Sequence, residues 1–172
     1  TAAIHAALQA AKTVGANVGN GTGSESFSYG PIAFGGVVKL HAGRGYIVRN
    51  TQANYDAGRY GAINIPKRCG LSGGGRGQTH VYLAPGNIGH GITNENSGIS
   101  GGAWSNFIGL RDLSLFCNPF WQTSACLDGV RFALAGNNYS KTDVFTLVEN
   151  VHVLESRRDG FSISGRGENV LI

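Results

Sequence analysis

The sequence predicts an all-β solenoid, in which short parallel strands stack coil upon coil after one short N-terminal α-helix. Three observations lead to this fold class. Glycine contributes 28 of the 172 residues and charged residues only 14%, so turns are frequent and much of each coil is covered. Short runs of alternating apolar residues recur between turn residues. Some of these runs are echoed further along the chain, which is typical of repeat architectures.

The helix is predicted over residues 1–15. Four apolar residues recur at i, i+3, i+4 and i+7, and Gly15 is suited to end the helix: Ile4, Ala7, Leu8 and Ala11. We interpret residues 1–15 as an N-terminal capping helix and residues 16–172 as the first coils of a solenoid. Because the apolar residues of the last rung, which ends at Ile172, lack a polar cap, the solenoid is expected to continue beyond the chain end or to pair with another subunit.

Seven strands are predicted after the helix. Each is a short run bounded by Gly, Asn, Asp or Pro: residues 36–40, 62–65, 80–83, 113–115, 130–132, 151–153 and 161–163. Residues 148–153 are echoed about nineteen residues later by 167–172, and residues 110–115 have the same form. Residues 127–132 likewise correspond to 158–163. Recurrence near this period predicts one rung of each sheet per coil.

The repeat alignment assigns the strand residues to two faces. Inside the solenoid it stacks Val151 between Leu113 and Val170, Val153 between Leu115 and Ile172, and Val130 and Phe132 on Phe161 and Ile163. Outside it places Arg111 beside Glu149 as an ion pair, and it forms a structural column of Asp112, Asn150 and Asn169.

Composition excludes several classes of protein. With 41% hydrophobic residues the chain can bury a core, yet it has no run of eighteen apolar residues to cross a membrane. Three cysteines are too few for a disulfide framework or a zinc site. Cys117 and Cys126 could close a loop in an oxidising compartment, and buried thiols are the alternative. The absence of methionine suggests a trimmed chain.

The net charge of +4 is concentrated in the first part of the chain. Residues 1–99 have a balance of +5 and residues 100–172 a balance of −1, which would suit an anionic partner. The basic residues are neither interleaved with aromatic residues nor arranged as in a common nucleic-acid-binding module. Nucleic acid is therefore not an expected partner.

Three segments resemble the right-handed parallel β-helix proteins of the pectate-lyase-like superfamily, especially phage tailspikes and polysaccharide depolymerases. Residues 1–11, TAAIHAALQAA, are similar to the helix that precedes the first coil of that superfamily. Residues 35–48, GGVVKLHAGRGYIV, resemble its first coil, with His41 at a usual proline. Residues 63–83, with their glycine-rich turn, resemble its second coil. Residues 16–35 and 87–105 are expected to be insertions.

The resemblance implies a right-handed parallel β-helix with a short capping helix, in a secreted protein or a virion tail. It implies a homotrimer, a polysaccharide partner and no cofactor or metal. The superfamily includes lyases, hydrolases and epimerases as well as non-catalytic fibres, so the fold alone does not decide the activity.

Candidate catalytic residues collect in the later rungs. A glycoside hydrolase needs two carboxylates across the scissile bond, which Asp112 with Glu155 or Asp159 would supply. A polysaccharide lyase instead needs a base and cations that neutralise a uronate carboxylate, which suits His152 with Arg157 and Arg158. The alternative for Asp159-Gly160, as for Asp128-Gly129, is an ordinary turn.

Phe120 and Trp121, in the loop after residues 113–115, are the clearest binding candidates. Aromatic residues on such an excursion either stack on sugar rings or pack against a neighbouring subunit, and Trp104 and Tyr139 share this ambiguity. Gly89-His90-Gly91 resembles a polygalacturonase triplet without its companion motifs, so a loop histidine is favoured. The run at residues 73–77 is an inter-strand turn and not a phosphate-binding loop.

Two hypotheses remain open at this point. The first is a carbohydrate-active module that binds and cleaves a cell-surface polysaccharide, as a lyase or a hydrolase. The second is a non-catalytic glycan-binding or spacer module of a trimeric fibre. They differ in whether single substitutions of Asp112, His152, Glu155 or Asp159 abolish an activity.

Overall fold

A computed structural model describes residues 1–16, 36–66, 69–95, 108–122, 128–134, 146–165 and 170–171. It contains two α-helices, α1 (Ala2–Ala16) and α2 (Gln52–Asp56), and a 3-10 turn at Pro119–Trp121. The strands are β1 (Val37–Lys39), β2 (Arg44–Val48), β3 (Gly61–Ile65), β4 (Cys69–Ser72), β5 (Thr79–Leu83), β6 (His90–Asn94), β7 (Ile108–Phe116), β8 (Val130–Leu134), β9 (Thr146–Leu154), β10 (Phe161–Gly165) and β11 (Val170–Leu171).

The strands form two sheets, and every described strand pair is parallel. The seven-stranded sheet has the order β1-β4-β7-β5-β2, with β9 also paired to β7 and β11 to β9. The four-stranded sheet has the order β10-β8-β6-β3. The long strand β7 pairs with β4 through its first half and with β5 through its second half.

The predicted fold class is wrong. The structure is a mostly parallel arrangement of two sheets, one of them curled into a half-barrel, with a few helices, which indicates an α/β fold and not a right-handed β-helix solenoid. The nineteen-residue echo failed for a specific reason. It required Val170 beside Val151, whereas Val170 lies beside Thr146. A two-residue strand with an apolar pattern fits more than one register, so the echo did not determine the pairing.

Other parts of the repeat alignment are confirmed. Val130 pairs with Phe161 and Phe132 with Ile163, and Leu113 pairs with Val151 and Leu115 with Val153. Arg111 is in register with Glu149, but its ion pair is with the adjacent Asp112, at 3.7 Å. Asn169 and Ile172 lie outside the described residues.

The core lies between the two sheets and is closed at one end by α1. Phe132, Leu110, Leu115 and Ile63 are fully buried, and Leu8 of α1 joins the same cluster. The His5 imidazole accepts a hydrogen bond from the backbone N–H of Asn64, and burial lowers the pKa of His5. The helix lies where its spacing predicts it, while the division of the chain into 1–15 and 16–172 stays a prediction.

Three strands and one helix of the described structure were not predicted: β2, β4, β6 and α2. Strand β6 lies inside the segment expected to be an insertion. Cys69 and Cys117 are buried, and Cys126 lies outside the described residues, so a bridge between Cys117 and Cys126 stays open. In the described part of the chain, no helix is long and apolar enough to span a membrane.

Candidate functional site

The most exposed aromatic side chains of the described residues lie on the 3-10 turn that follows β7. Phe120 is 90% exposed and Trp121 is 66% exposed. The turn is preceded by Asn118 in the left-handed region, with φ 50°, a conformation that asparagine tolerates better than most residues. Residues 118–122 are called the aromatic turn below.

The backbone of the aromatic turn is held rigidly although its rings face solvent. The Gln122 amide donates to the carbonyl oxygens of Cys117 at 3.0 Å and Ala84 at 3.2 Å, and its oxygen accepts from the Asn87 N–H at 2.9 Å. The Gly86 N–H donates to the Trp121 carbonyl at 2.8 Å. These bonds tie the turn to the chain after β5. Rings on a preorganised backbone lose less entropy when a ligand binds.

A cation lies beside this turn. The Arg157 guanidinium donates to the Gln122 carbonyl at 3.5 Å, and the Cys117 N–H donates to the Leu154 carbonyl at 3.0 Å. The end of β9 is thereby joined to the end of β7. Three of the four predicted binding residues, Phe120, Trp121 and Arg157, therefore occur together.

A second aromatic group continues from the turn along the outer surface of the sheet. Ile47, Tyr82, Phe116 and Leu154 are register partners on β2, β5, β7 and β9, and we call these four residues the aromatic face. The Tyr82 and Phe116 rings are stacked, with centroids 4.8 Å apart. Ile47 is 72% exposed and Tyr82 38% exposed. The aromatic face adjoins the aromatic turn, because only residues 117–119 separate Phe116 from Phe120.

A second column of register partners runs beside the aromatic face. Gly45, His80, Ser114 and His152 are register partners on the same four strands. His80 packs edge-on against Phe116, with ring centroids 5.5 Å apart, and the Ser114 hydroxyl donates to the Arg76 carbonyl. His152, predicted as a catalytic base, is exposed in this column. This column thus brings the imidazoles of His80 and His152 beside the aromatic face, while Ser114 between them is buried.

Asp112, predicted as a catalytic carboxylate, occupies a bend in β7. Its φ is 59°, and its register neighbour Asn150 has φ 51°. The Asn150 amide donates to the Asp112 carboxylate at 2.9 Å, as the predicted column of stacked polar residues requires. The contacts of Asp112 are those of a residue that stabilises two bent strands.

Glu155 and Asp159, the other predicted carboxylates, lie in the turn between β9 and β10. Glu155 is exposed and has φ 56°. Asp159 pairs with Arg158 at 3.3 Å. Within the described ranges, no hydrogen bond or ion pair joins Asp112, His152, Glu155 and Asp159 to one another, so the structure does not bring the four into one contacting group.

Arg158, predicted to bind substrate, holds a buried carboxylate instead. Its Nε and Nη2 donate to the two oxygens of Asp128 at 2.7 and 2.6 Å, and this hydrogen bonding raises the pKa of Arg158. The Asp128 side chain is 0% exposed. Asp128 was interpreted only as a turn residue, although the confirmed pairing of 130–132 with 161–163 already places it close to Arg158.

His90 also contacts Asp128. It is the first residue of β6 and is 8% exposed, so the prediction of a loop histidine is wrong. Its Nδ1 accepts from the Asp128 N–H at 3.3 Å, and burial lowers the pKa of His90 to about 4. Gly89 and Gly91 flank it because a Cβ at either position would meet a backbone carbonyl, that of Tyr60 or Gly129.

No metal centre is indicated in the part of the chain that the structure describes, since no three His, Cys, Asp or Glu residues are grouped there for an ion. Trp104 and Tyr139 lie outside that part. No known family model matches the chain, and neither the curated proteins nor the solved structures include a significant match. The predicted relationship to the pectate-lyase-like superfamily stays a prediction, and the candidate site is defined by its geometry alone.

Proposed function

We propose that this chain binds a polysaccharide of a cell surface through the aromatic turn and the aromatic face. The observation that carries the proposal is the exposure of Phe120 and Trp121 on a turn whose backbone is fixed by Gln122. Sugar rings present apolar C–H faces that stack on aromatic side chains, while their hydroxyl groups need hydrogen-bonding partners. The adjoining column with His80 and His152 supplies such partners.

The charge beside the turn favours a ligand that carries anionic groups. Arg157 lies against the aromatic turn, and the chain has an overall charge of +4. A guanidinium can bind a carboxylate with two parallel hydrogen bonds. An acidic polysaccharide would therefore be bound more strongly than a neutral one, and its binding would weaken with salt.

Cleavage by a lyase reaction is a second candidate function. The observation that favours it is the position of His152, exposed and two residues before Leu154 of the aromatic face, with Arg157 following on the same segment. A lyase base removes the proton next to a uronate carboxyl group while a cation stabilises the resulting negative charge. The glycosidic C–O bond then breaks, which forms the C=C bond of the unsaturated product, and the leaving oxygen takes up a proton from water. Hydrolysis is less well supported, because Asp112 and Asp159 are engaged by Asn150 and Arg158.

The experiment is a titration of the purified chain with a panel of acidic and neutral bacterial and plant polysaccharides, followed by calorimetry. We expect saturable binding of an acidic polysaccharide, weakened by added salt. Absence of binding across the panel at low salt would contradict the proposal. Ultraviolet absorbance of the same mixtures detects the unsaturated product of a lyase, and reducing ends without this absorbance would indicate a hydrolase.

We also propose that the protein is secreted or part of a virion tail and that it assembles as a trimer. A cell-surface polysaccharide as ligand fits a secreted protein or a virion tail, and a trimer would repeat the aromatic turn three times and raise avidity. Sedimentation of the chain measures its assembly. If the aromatic turn forms an interface between subunits, dilution to monomers will increase the exposure of Trp121 to a quencher, and polysaccharide will not protect it.

A further inference from the structure

One buried carboxylate contacts basic groups on two strands of the four-stranded sheet and on the turn that precedes a third strand, β10. The Asp128 side chain is 0% exposed and lies within 4 Å of basic groups from three places: His90 on β6, Arg131 on β8 and Arg158 in the turn between β9 and β10. The distances to its Oδ2 are 3.4, 3.7 and 2.6 Å. Asp159 pairs with Arg158 from the outer side. We call this group the Asp128 cluster.

The Asp128 cluster anchors the turn that carries Arg157. Arg158 is the residue after Arg157, and it forms a two-pronged bond with Asp128. The Gly129 N–H also donates to the Asp159 carbonyl at 2.9 Å. A carboxylate and a guanidinium joined in this way have a defined relative orientation. The position of Arg157 against the aromatic turn is therefore coupled to the bond between Arg158 and Asp128.

We infer that the Asp128 cluster is an acid-sensitive clasp, which holds the turn between β9 and β10 at neutral pH and releases it, and with it Arg157, on acidification. The effect of the clasp on polysaccharide binding rests on the proposed function, whereas the release of the turn between β9 and β10 does not.

Protonation of His90 weakens the contacts of Asp128 with Arg131 and Arg158 in two ways. A proton on His90 Nδ1 removes the acceptor of the Asp128 N–H and adds a positive charge beside both arginines. The charged or titratable groups that contact Asp128 from the packed segments are these three and, through Arg158, Asp159. After protonation the positive charges outnumber the negative ones.

The energetic coupling follows from the burial of His90. Its pKa is lowered to about 4, first by burial and then by Arg131 and Arg158 against the opposing effect of Asp128. Release of the clasp would expose His90 to water and return its pKa towards 6.5. The released state therefore binds more protons between these two values, and lowering the pH through this range shifts the population towards it.

The test is the hydrogen exchange of the Arg158 Nε–H, measured by NMR relative to the exposed Arg44 in the same sample. At pH 7 we expect exchange of Arg158 to be at least tenfold slower than that of Arg44, and at pH 4 we expect the ratio to approach one. A ratio that stays constant from pH 7 to pH 4 would overturn the inference.

Two substitutions assign the effect to the cluster. His90→Asn keeps an acceptor near the Nδ1 position without a titratable group, so the loss of protection should shift to lower pH. Asp128→Asn should remove the protection already at pH 7. His41→Asn and Asp56→Asn change exposed residues outside the cluster and should match the wild type. If Asp128→Asn does not fold, the exchange ratio of Arg158 to Arg44 in the wild type and in His90→Asn still tests the clasp. The same pH dependence of this ratio in both proteins would count against it.

Affinity for the polysaccharide is measured on the same samples. The clasp predicts that Asp128→Asn at pH 7 lowers the affinity of the wild type by at least threefold, as acid does. If Asp128→Asn loses the slow hydrogen exchange of Arg158 but keeps its polysaccharide affinity, the clasp does not control ligand binding through Arg157. If no polysaccharide binds, the proposed function fails, and the exchange data still test the clasp.

Discussion

The Tyr82 ring lies almost parallel to the Phe116 ring, with an angle of 17° between their planes. The two residues are register partners on β5 and β7, so the spacing of the strands sets the spacing of the rings. On its other side Tyr82 covers Gly45 of β2, the neighbouring strand. The stacked pair is thus held by three strands, and it forms a preorganised part of the aromatic face.

Gly45→Ala tests whether the position of the Tyr82 ring matters for binding. A Cβ at Gly45 would lie 3.1 Å from the ring, which displaces the ring without changing a residue that contacts ligand through its own side chain. We expect polysaccharide affinity to fall severalfold and the far-ultraviolet circular dichroism to stay unchanged. Gly77→Ala is the matched control, since a Cβ there meets nothing within 4 Å. Equal affinities of the two variants would contradict a role for this ring.

Gln122→Ala tests the rigidity of the aromatic turn. The substitution leaves the carbonyl oxygens of Cys117 and Ala84 and the N–H of Asn87 without their Gln122 partner. We expect the free energy of unfolding to fall by about 1–3 kcal/mol and the affinity to fall as well. Urea denaturation measures the first quantity. Gln52→Ala, which loses one exposed bond to Asp56, should cost less than about 0.5 kcal/mol.

Stability should fall when the pH is lowered from about 6.5 to about 4. Burial lowers the pKa of His90 to about 4 in the folded chain, so over this range the unfolded chain binds more protons at this residue. This contribution to the free energy of unfolding is fully present above the pKa of His90 in the unfolded chain. Lowering the pH to about 4 removes at most about 3 kcal/mol of it. Urea denaturation at several pH values measures the slope. His90→Asn should flatten it, and an unchanged slope in that variant would assign the effect to other groups.

Substitutions of Asp112 separate a structural role from a catalytic one. Its φ of 59° favours glycine, asparagine or aspartate. We expect Asp112→Gly to change the free energy of unfolding by less than about 1 kcal/mol and to leave polysaccharide binding and turnover intact. Asp112→Val should cost about 1–3 kcal/mol, since a β-branched residue is strained at this φ. Thermal unfolding measures the change in stability, and product formation measures turnover. Loss of turnover in a folded Asp112→Gly protein would indicate that Asp112 is catalytic.

Local patterns in the sequence predicted a good part of the secondary structure. The repeat of residues 127–132 at 158–163 predicted the register in which β8 and β10 pair. The spacing of Ile4 and Leu8 predicted α1, and the alternation around Val130 and Phe161 predicted two strands. Such patterns depend on nearby residues and on which side chains are buried. Strands β4 and β6 were missed because Gly70 and Gly91 read as turn residues, whereas Gly70 packs against Val37 of the neighbouring strand and Gly91 against the Gly129 carbonyl.

The candidate site was only partly predictable for a related reason. Exposed aromatic residues on a loop identified Phe120 and Trp121, but their rigid placement depends on Gln122, whose partners Asn87 and Ala84 lie more than thirty residues away in the chain. The buried position of Asp128 and its bond to Arg158 also depend on long-range packing. The repeats predicted that β8 lies beside β10 and β9 beside β7 and β11, but they did not determine the register of β11 or the arrangement of the two sheets.

The most direct test of the proposed function is the affinity of Trp121→Ala for the polysaccharide that the wild type binds, measured by calorimetry. Trp121 is 66% exposed, so its loss should leave the free energy of unfolding within about 0.5 kcal/mol of the wild type. Val37→Ala, an exposed apolar residue on β1, is the control. We predict at least a tenfold loss of affinity, about 1.4 kcal/mol, in Trp121→Ala and none in Val37→Ala. Equal affinities of a folded Trp121→Ala protein and the wild type would contradict the account.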